Sequence, residues 1–364
     1  MTTPVMPKRD YIALHRLTLI LFVVIAAGRL IYIEACATPL RANALGAMAM
    51  AVPPLLIGSY YTFVQFRALL AIIFNCIALA IIGLIGADVS GALPLYSGRH
   101  FPLVDQQLMA ADRFLGFDWE AVLKFFDRYP HFDTVLRFAY TSVMMQIVLI
   151  MILLTLTQRA ERLYRLLIAM NIALLITCVV TVFTPAIGPY GLLGLTPADH
   201  PHTLVIVGAK MNPAIFWLRS AVFAVPPPPR ELGLINFPSY HTTVAIIFVW
   251  VSWRLRFVGW PLLVLNALML FATPIQGNHY LVDTFGGGVV AIIAIAITKW
   301  MVAYATRVDG RTPVLDLFGA LRRAAVAGTG SGRFQTAGDL QAKARVHSEV
   351  VRRHWKPGAA GRAR

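Results

Sequence analysis

Two short polar segments of this chain carry residues whose types and spacing suit nucleophilic and acid–base chemistry. They are Phe237-Pro238-Ser239-Tyr240-His241 and Gly277-Asn278-His279-Tyr280-Leu281-Val282-Asp283. His279 and Asp283 are four residues apart, so on one helix they share a face and the carboxylate can reach one imidazole nitrogen. Such a contact fixes the tautomer of the imidazole.

The first segment predicts the start of a helix. His241 follows a Pro-Ser pair, which places it in the first helical turn, beside backbone N–H groups that have no partner within the helix. A helix N-terminus of this kind attracts anions such as phosphate. Two imidazoles, a carboxylate and a helix N-terminus suit phosphoryl transfer through a phosphohistidine, in which one His attacks phosphorus and the other protonates the leaving oxygen. This chemistry needs no metal and no other cofactor.

At these residues the sequence resembles the type 2 phosphatidic acid phosphatase superfamily, whose signatures are Pro-Ser-Gly-His and Ser-Arg-x5-His-x3-Asp. In detail, Phe-Pro-Ser-x-His and His-Tyr-x-x-Asp are more similar to the inositol phosphorylceramide synthase branch, which has bacterial members. The resemblance covers residues 66–305. It implies that His279 is the nucleophile, that Asp283 orients it and that His241 is the general acid.

The sequence departs from the family signatures at three places. Tyr240 replaces the glycine of the first signature, and Ala272 and Thr273 stand where Ser-Arg would fall. The Lys-x6-Arg-Pro signature is absent as well. An arginine that would grip phosphate is therefore missing, and Arg219 and Arg230 are preferred as substitutes because they lie nearer the His241 helix. The full set of candidate substrate-binding cations is Lys210, Arg219 and Arg230.

The composition is that of a membrane protein. Of the 364 residues, 58% are hydrophobic and 13% are charged, and the mean hydropathy is +0.69, which is too apolar for a soluble globular protein of this length. A membrane-spanning helix needs about 20 mostly apolar residues. The sequence predicts an all-α, polytopic membrane helix bundle of about eight transmembrane helices. The predicted spans are 14–33, 43–62, 66–86, 135–157, 164–186, 239–257, 259–275 and 279–303.

The chain divides into three predicted parts. Residues 1–65 contribute two N-terminal transmembrane helices, which we interpret as an addition to a catalytic core of six helices. Residues 66–305 form the phosphatase or phosphotransferase membrane core, and residues 306–364 form a basic cytoplasmic tail.

The positive charge indicates topology. The formal net charge is +15, and residues 304–364 hold twelve Lys and Arg against four Asp and Glu. The connections 158–165 and 253–257 are also basic, and basic segments mark the cytoplasmic side of a membrane. With eight spans and both termini cytoplasmic, both polar segments open to the outside. We therefore expect a multi-pass protein of the bacterial inner membrane with a periplasmic site, contacts with lipid and no nucleic-acid partner.

One amphipathic helix is expected between the third and fourth spans. Asp118-Trp119-Glu120 starts it with acidic residues, and apolar residues recur at helical spacing through Phe126. Such a helix lies in the membrane interface. A lipid-entry lid and a simple connector both fit this pattern.

The sequence thus predicts an integral-membrane enzyme that acts on a lipid phosphate or phospho-head-group. Membrane lipids are its expected partners, with water or a lipid hydroxyl as the acceptor. Loss of the motif arginine at Thr273 keeps an alternative open, in which the same scaffold binds or transports lipid phosphates without catalysis.

Overall fold

The computed structural model describes residues 7–36, 41–65, 67–208, 212–220, 234–255 and 257–307. In these ranges the regular secondary structure is helical, with two short 3-10 turns, Gly98–His100 and Pro197–Asp199, between the α-helices. The α-helices are α1 (Lys8–Cys36), α2 (Arg41–Phe63), α3 (Ala68–Ser97), α4 (Asp105–Phe114), α5 (Trp119–Arg128), α6 (Pro130–Thr141), α7 (Val143–Leu156), α8 (Ala160–Phe183), α9 (Pro189–Leu192), α10 (Asn212–Ser220), α11 (Tyr240–Ser252), α12 (Gly259–Gln276) and α13 (Leu281–Arg307).

The predicted fold class, an all-α membrane bundle, is confirmed. Among the described residues, α1, α8, α12 and α13 are each long and apolar enough to cross a bilayer, and the bent pair α6 and α7 makes a fifth span if it is counted as one. The other three predicted spans fall on α2, α3 and the shorter α11. α3 continues past its predicted end at residue 86 and reaches Ser97.

The fourth predicted span, 135–157, is broken, so the expectation of one continuous helix there was wrong. α6 and α7 meet at an angle of 51°. At the break, Oγ of Ser142 donates to the carbonyl of Ala139 at 2.6 Å, and Nε2 of Gln146 donates to Oγ of Ser142 at 2.9 Å. Polar side chains that compete for backbone carbonyls in this way bend a helix. The bend follows the last turn of α6, which carries Tyr140.

The helices cluster in one compact unit, Met1–Asp309. Within it α8, α11 and α13 pack against one another, α12 packs against α11 and α6, and α1 and α3 both pack against α8. The largest group of buried apolar side chains lies between these helices and includes Leu166, Ile247 and Phe248. The predicted boundaries at 65 and 305 stay predictions, and residues 308–364 of the predicted tail lie outside the described residues.

The crossing of α11 and α13 brings the two polar segments together. A Cβ at Gly287 would meet the carbonyl oxygen of Ser239 and would lie 2.9 Å from Cβ of Thr242, whereas a Cβ at Gly288 would have ordinary contact at 3.8 Å. Oγ1 of Thr243 donates to the carbonyl of Gly287 at 2.9 Å. Glycine at 287 therefore permits a close approach that a side chain would prevent, as small residues do between membrane helices.

The predicted amphipathic helix is confirmed as α5. Asp118 is its N-cap and accepts the backbone N–H of Ala121 at 3.1 Å. Trp119, Leu123 and Phe126 are buried on one face. The opposite face is exposed, so the helix lies against the bundle on one side only.

Candidate active site

His279 lies in the short turn between α12 and α13, and Asp283 lies in the first turn of α13. Nδ1 of His279 is 3.2 Å from Oδ2 of Asp283, and the two side chains are 3% and 0% exposed. The same carboxylate oxygen accepts the backbone N–H of Tyr280 at 2.9 Å. With Nδ1–H donating to Asp283, Nε2 of His279 keeps its lone pair and is the nitrogen able to act as a nucleophile.

The N-terminus of α11 lies next to that nitrogen. Ser239 is the N-cap of α11, and its Oγ accepts the backbone N–H of Thr242 at 3.4 Å. The same Oγ is 3.4 Å from Nε2 of His279. The backbone N–H of Ser239 also donates to the carbonyl of Asp283 at 3.1 Å. Nε2 of His279 thus lies at a helix N-terminus, where a phosphate group is favoured.

His241 lies in the first turn of α11 and packs flat against Tyr140 of α6. The two ring centroids are 4.2 Å apart with an interplanar angle of 20°, and Nδ1 of His241 is 3.2 Å from the Tyr140 hydroxyl. The Tyr140 hydroxyl can accept Nδ1–H when the ring is protonated and donate to Nδ1 when it is neutral, so Nε2 of His241 is the nitrogen left for proton transfer. The imidazoles of His241 and His279 are near enough to interact electrostatically.

Gly277 lies between the His279–Asp283 pair and the Tyr140–His241 pair. A Cβ at this position would lie 2.8 Å from Cδ2 of His279 and 2.8 Å from Cε2 of Tyr140. Because Gly277 has no side chain, the ring of Tyr140 and the ring of His279 can both lie close to its backbone. The four residues make one continuous group that runs from His279 through Gly277 and Tyr140 to His241.

The surroundings of His279 keep its imidazole neutral. Burial lowers the pKa of His279 from 6.5 to about 4, and a hydrogen bond with the backbone of Asn236 opposes the shift. A neutral imidazole is the form that attacks phosphorus, since a protonated ring has no free lone pair. At neutral pH the turn thus presents His279 in its reactive form.

The comparison with known families agrees with this geometry. The sequence profile of the PAP2 superfamily matches residues 106–297, which is more than half of the chain. This chain belongs to the PAP2 superfamily. The matched range runs from α4 into α13 and contains all of the site residues described above.

A curated relative shares part of the PAP2 region. Undecaprenyl-diphosphatase BcrC of Bacillus subtilis (strain 168) is 46% identical over 59 residues, which are 16% of this chain and 31% of the relative. The match thus spans less than a third of the relative's length. No solved structure matches the chain.

Of the three predicted phosphate-binding cations, Arg219 lies within the described residues. Arg219 of α10 donates from Nη1 to the carbonyl of Gly98 at 3.0 Å and from Nη2 to the carbonyl of Phe101 at 2.7 Å. Burial lowers the pKa of its guanidinium, and nearby Asp105 opposes that shift. Lys210 and Arg230 lie outside the described residues. In the described ranges no three His, Cys, Asp or Glu side chains are grouped as a metal site requires.

Sequence reasoning missed Tyr140 as a member of the site. It lies 101 residues before His241 in the chain and within an apolar run, where an aromatic residue predicts no more than core packing. Ser239 was predicted only as a helix cap, and its contact with His279 depends on how α11 and α13 cross. Neither contact has a signal in the local sequence.

Proposed function

We propose that this PAP2 protein is an integral-membrane phosphatase or phosphotransferase that acts on a lipid phosphate through a phosphohistidine on His279. The observation that supports it best is the orientation of His279. Nδ1 of His279 is held by Asp283, and Nε2 lies next to Ser239 at the N-terminus of α11. Ser239 comes two residues before His241, which carries the second imidazole. If the His279–Asp283 pair only stabilised the fold, it would require neither the second imidazole nor the helix N-terminus beside it.

In the first half of the reaction, Nε2 of His279 attacks phosphorus and the bond from phosphorus to the lipid oxygen breaks. His241 enters this step protonated on both nitrogens and gives its Nε2 proton to the departing oxygen, which leaves the imidazole neutral, so the lipid leaves as an alcohol or as a shorter phosphate. Asp283 accepts Nδ1–H and stabilises the positive charge that develops on the ring of His279. Tyr140 holds the Nδ1 side of His241 in both protonation states, so that Nε2 is the nitrogen that exchanges the proton.

In the second half, an acceptor replaces His279 on phosphorus. His241, now neutral, takes a proton from the acceptor, whose oxygen forms the new bond as the bond to His279 breaks. Water as acceptor gives free phosphate, whereas a lipid hydroxyl gives a transferred head-group. The Phe-Pro-Ser-x-His and His-Tyr-x-x-Asp segments favour testing a hydroxyl acceptor of the inositolphosphotransferase type.

A cation must hold the phosphate, because phosphoryl transfer develops charge on the oxygens that surround phosphorus. Arg219 could take part only by giving up its two bonds to backbone carbonyls. We therefore place Arg230 first and Lys210 second, with Arg219 third. The backbone N–H groups at the start of α11 supply further positive potential.

The substrate that we propose first is a long-chain lipid diphosphate. This choice rests on the name of the relative in Bacillus subtilis, an undecaprenyl-diphosphatase, and on the burial of the site among apolar helices. Basic connections at the far end of the bundle support a site that opens to the outside of the bacterial inner membrane, with both termini cytoplasmic.

The proposal is tested with purified full-length protein in detergent micelles and radiolabelled lipid phosphates and diphosphates. Phosphate release and new lipid products are measured with and without diacylglycerol or ceramide as acceptor. We expect His279→Ala to abolish turnover and His241→Ala to lower it about 10²- to 10⁴-fold. An acid-labile phosphoryl group should be trapped on the wild-type protein and be missing from His279→Ala.

His131→Ala is the matched control, because His131 is an exposed histidine on the adjacent helix α6. It should keep wild-type turnover. If His279→Ala is as active as His131→Ala, the phosphohistidine mechanism is wrong. If lipid phosphates bind to the wild-type protein and no lipid in the panel is turned over, the non-catalytic binder or transporter is the correct alternative.

A further inference from the structure

The backbone that carries His279 is held by a segment outside the long membrane helices. Three buried side chains in residues 105–119 make hydrogen bonds with four consecutive residues, 279–282. We call these three side chains the turn anchors. The turn anchors are Asp105, Asp112 and Trp119.

Asp112 caps α13 from another helix. Its side chain is fully buried, and its two carboxylate oxygens accept the backbone N–H groups of Leu281 at 2.8 Å and Val282 at 2.9 Å. These are the first two residues of α13, whose N–H groups have no partner within the helix. Tyr280, which precedes them, has no side-chain oxygen close enough to its own backbone to act as an N-cap. Asp112 therefore supplies the missing cap and fixes where α13 begins.

Trp119 holds the carbonyl group of the proposed nucleophile itself. Nε1 of Trp119 donates to the backbone oxygen of His279 at 3.1 Å, and the side chain is 1% exposed. Its indole ring meets the ring of Tyr190 edge to face, with centroids 4.7 Å apart. The indole cannot move without disturbing that packing, so the carbonyl of His279 has a fixed partner.

Asp105 completes the set. Its Oδ1 accepts the hydroxyl of Tyr280 at 2.9 Å. Its carboxylate also accepts the backbone N–H groups of Ile187 and Gly188 at 3.0 and 2.8 Å. Tyr280 is thus tied both to the start of α4 and to the connection that follows α8. The side chain of Tyr280 is thus held by a hydrogen bond, as are the backbone of His279 before it and the backbone of Leu281 after it.

We propose that the turn anchors are positioning residues for His279, so that they set the direction in which its Nε2 meets phosphorus. This inference rests on the proposed phosphohistidine chemistry. The hydrogen bonds of all three are made with the backbone or side chains of residues 279–282, and each acts on the imidazole through them. In-line attack depends on this direction, and a displacement of about 1 Å at the reacting atoms can cost about 10²-fold in rate.

The mildest test is Trp119→Phe, which removes one N–H donor and keeps an aromatic ring against Tyr190. We expect kcat to fall about tenfold and KM to stay within about threefold, because the bound substrate meets the same groups while His279 is misdirected. Asp112→Asn offers one acceptor where two are needed and places an amide N–H₂ against a backbone N–H. Its kcat should fall about 10- to 100-fold, together with the rate at which the phosphoenzyme forms.

Two matched controls have no contact with the turn. Trp300→Phe makes the same exchange at an exposed position near the far end of α13. Asp118→Asn changes the exposed N-cap of α5, and Asn caps helices about as well as Asp. Both controls should keep the wild-type kcat. If Trp119→Phe and Asp112→Asn are as active as these controls, the proposal is wrong.

A second readout does not depend on turnover. Hydrogen exchange of the peptide that contains residues 277–285 should become at least about tenfold faster in Asp112→Asn, because one of the N–H groups of Leu281 and Val282 loses its acceptor. Unchanged exchange would overturn the inference. It would also be overturned by losses of kcat that match losses of folded protein, since the role would then be structural alone. If Asp112→Asn exchanges faster than the wild type as expected, but the wild type turns over no lipid, the proposed function is wrong instead.

Discussion

At the scale of single residues, the chemistry depends on which nitrogen of His279 is free. Nδ1–H of His279 and the backbone N–H of Tyr280 share one carboxylate oxygen of Asp283, so the Nδ1 side of the ring is fixed and Nε2 is left for the proposed attack. His241 has a different constraint, since an aromatic ring covers one of its faces. Two histidines only 38 positions apart in the chain thus have distinct partners, and this difference supports their distinct proposed roles.

The lowered pKa of His279 leads to a prediction about acid. In the proposed mechanism the free enzyme needs neutral His279, so the acidic limb of its kcat/KM profile should lie near pH 4, where burial places the pKa of this group. An ordinary histidine would place the limb near pH 6.5. The titratable groups that face His279 are Asp283 and His241. The profile is measured as phosphate release from about pH 3 to pH 8.

The acid profile needs a check on the fold. Samples held at each pH should recover full activity on return to pH 7, which shows that the lost turnover reflects protonation and that the protein has not denatured. A fall in kcat/KM between about pH 7 and pH 6 would contradict the prediction, because His279 would then titrate as an exposed histidine does.

The residue types of the site and the pairing of His279 with Asp283 could be predicted from the sequence, whereas the partners that other helices supply could not. The spacing of His279 and Asp283 is enough to predict their contact, because four residues along a chain that starts a helix bring two side chains together. The contacts of Tyr140 and Trp119 span 101 and 160 residues of sequence. Such contacts depend on how whole helices pack, and no local pattern encodes them.

At the scale of helices, the site depends on close contact between α11 and α13. The apolar runs predicted where these helices lie, since length and hydropathy determine a span. They did not predict the break at Ser142, because a bend follows from local competition for hydrogen bonds and leaves the average hydropathy unchanged. That break ends α6 just after Tyr140 and lets the next helix leave in another direction.

The contact between α11 and α13 predicts different outcomes at two adjacent glycines. Gly287→Ala would place a Cβ against the carbonyl of Ser239 and 2.9 Å from Cβ of Thr242, so α11 must shift and carry Ser239 away from His279. We expect kcat/KM to fall about 10- to 100-fold and the thermal unfolding temperature to drop. Gly288→Ala is the control, because its Cβ would have ordinary contact at 3.8 Å. Equal activity in the two variants would show that the close approach is not needed.

At the scale of the whole molecule, the two ends of the bundle differ in charge. At the C-terminal end of α11, Nη1 of Arg159 donates to the carbonyl of Arg254 at 3.2 Å, and Nη1 of Arg162 donates to the carbonyl of Val251 at 3.1 Å. These contacts place the basic turn between α7 and α8 at the end of α11 opposite to His241. The turn that carries His279 and the basic turn are therefore separated by the length of a helix.

This separation predicts the orientation of the protein in the membrane. Basic turns stay in the cytoplasm, so the site should face outward, together with the turn that follows α4, the helix that carries Asp112. After replacement of Cys36, Cys76 and Cys178 by serine, single cysteines are introduced at Leu115, 51% exposed in that outer turn, and at exposed Thr157 beside the basic turn. A membrane-impermeant maleimide should label Leu115→Cys in intact cells and Thr157→Cys only after permeabilisation. The reverse pattern would place the phosphate chemistry on the cytoplasmic side, where lipid diphosphates of the inner leaflet would have to be its substrates.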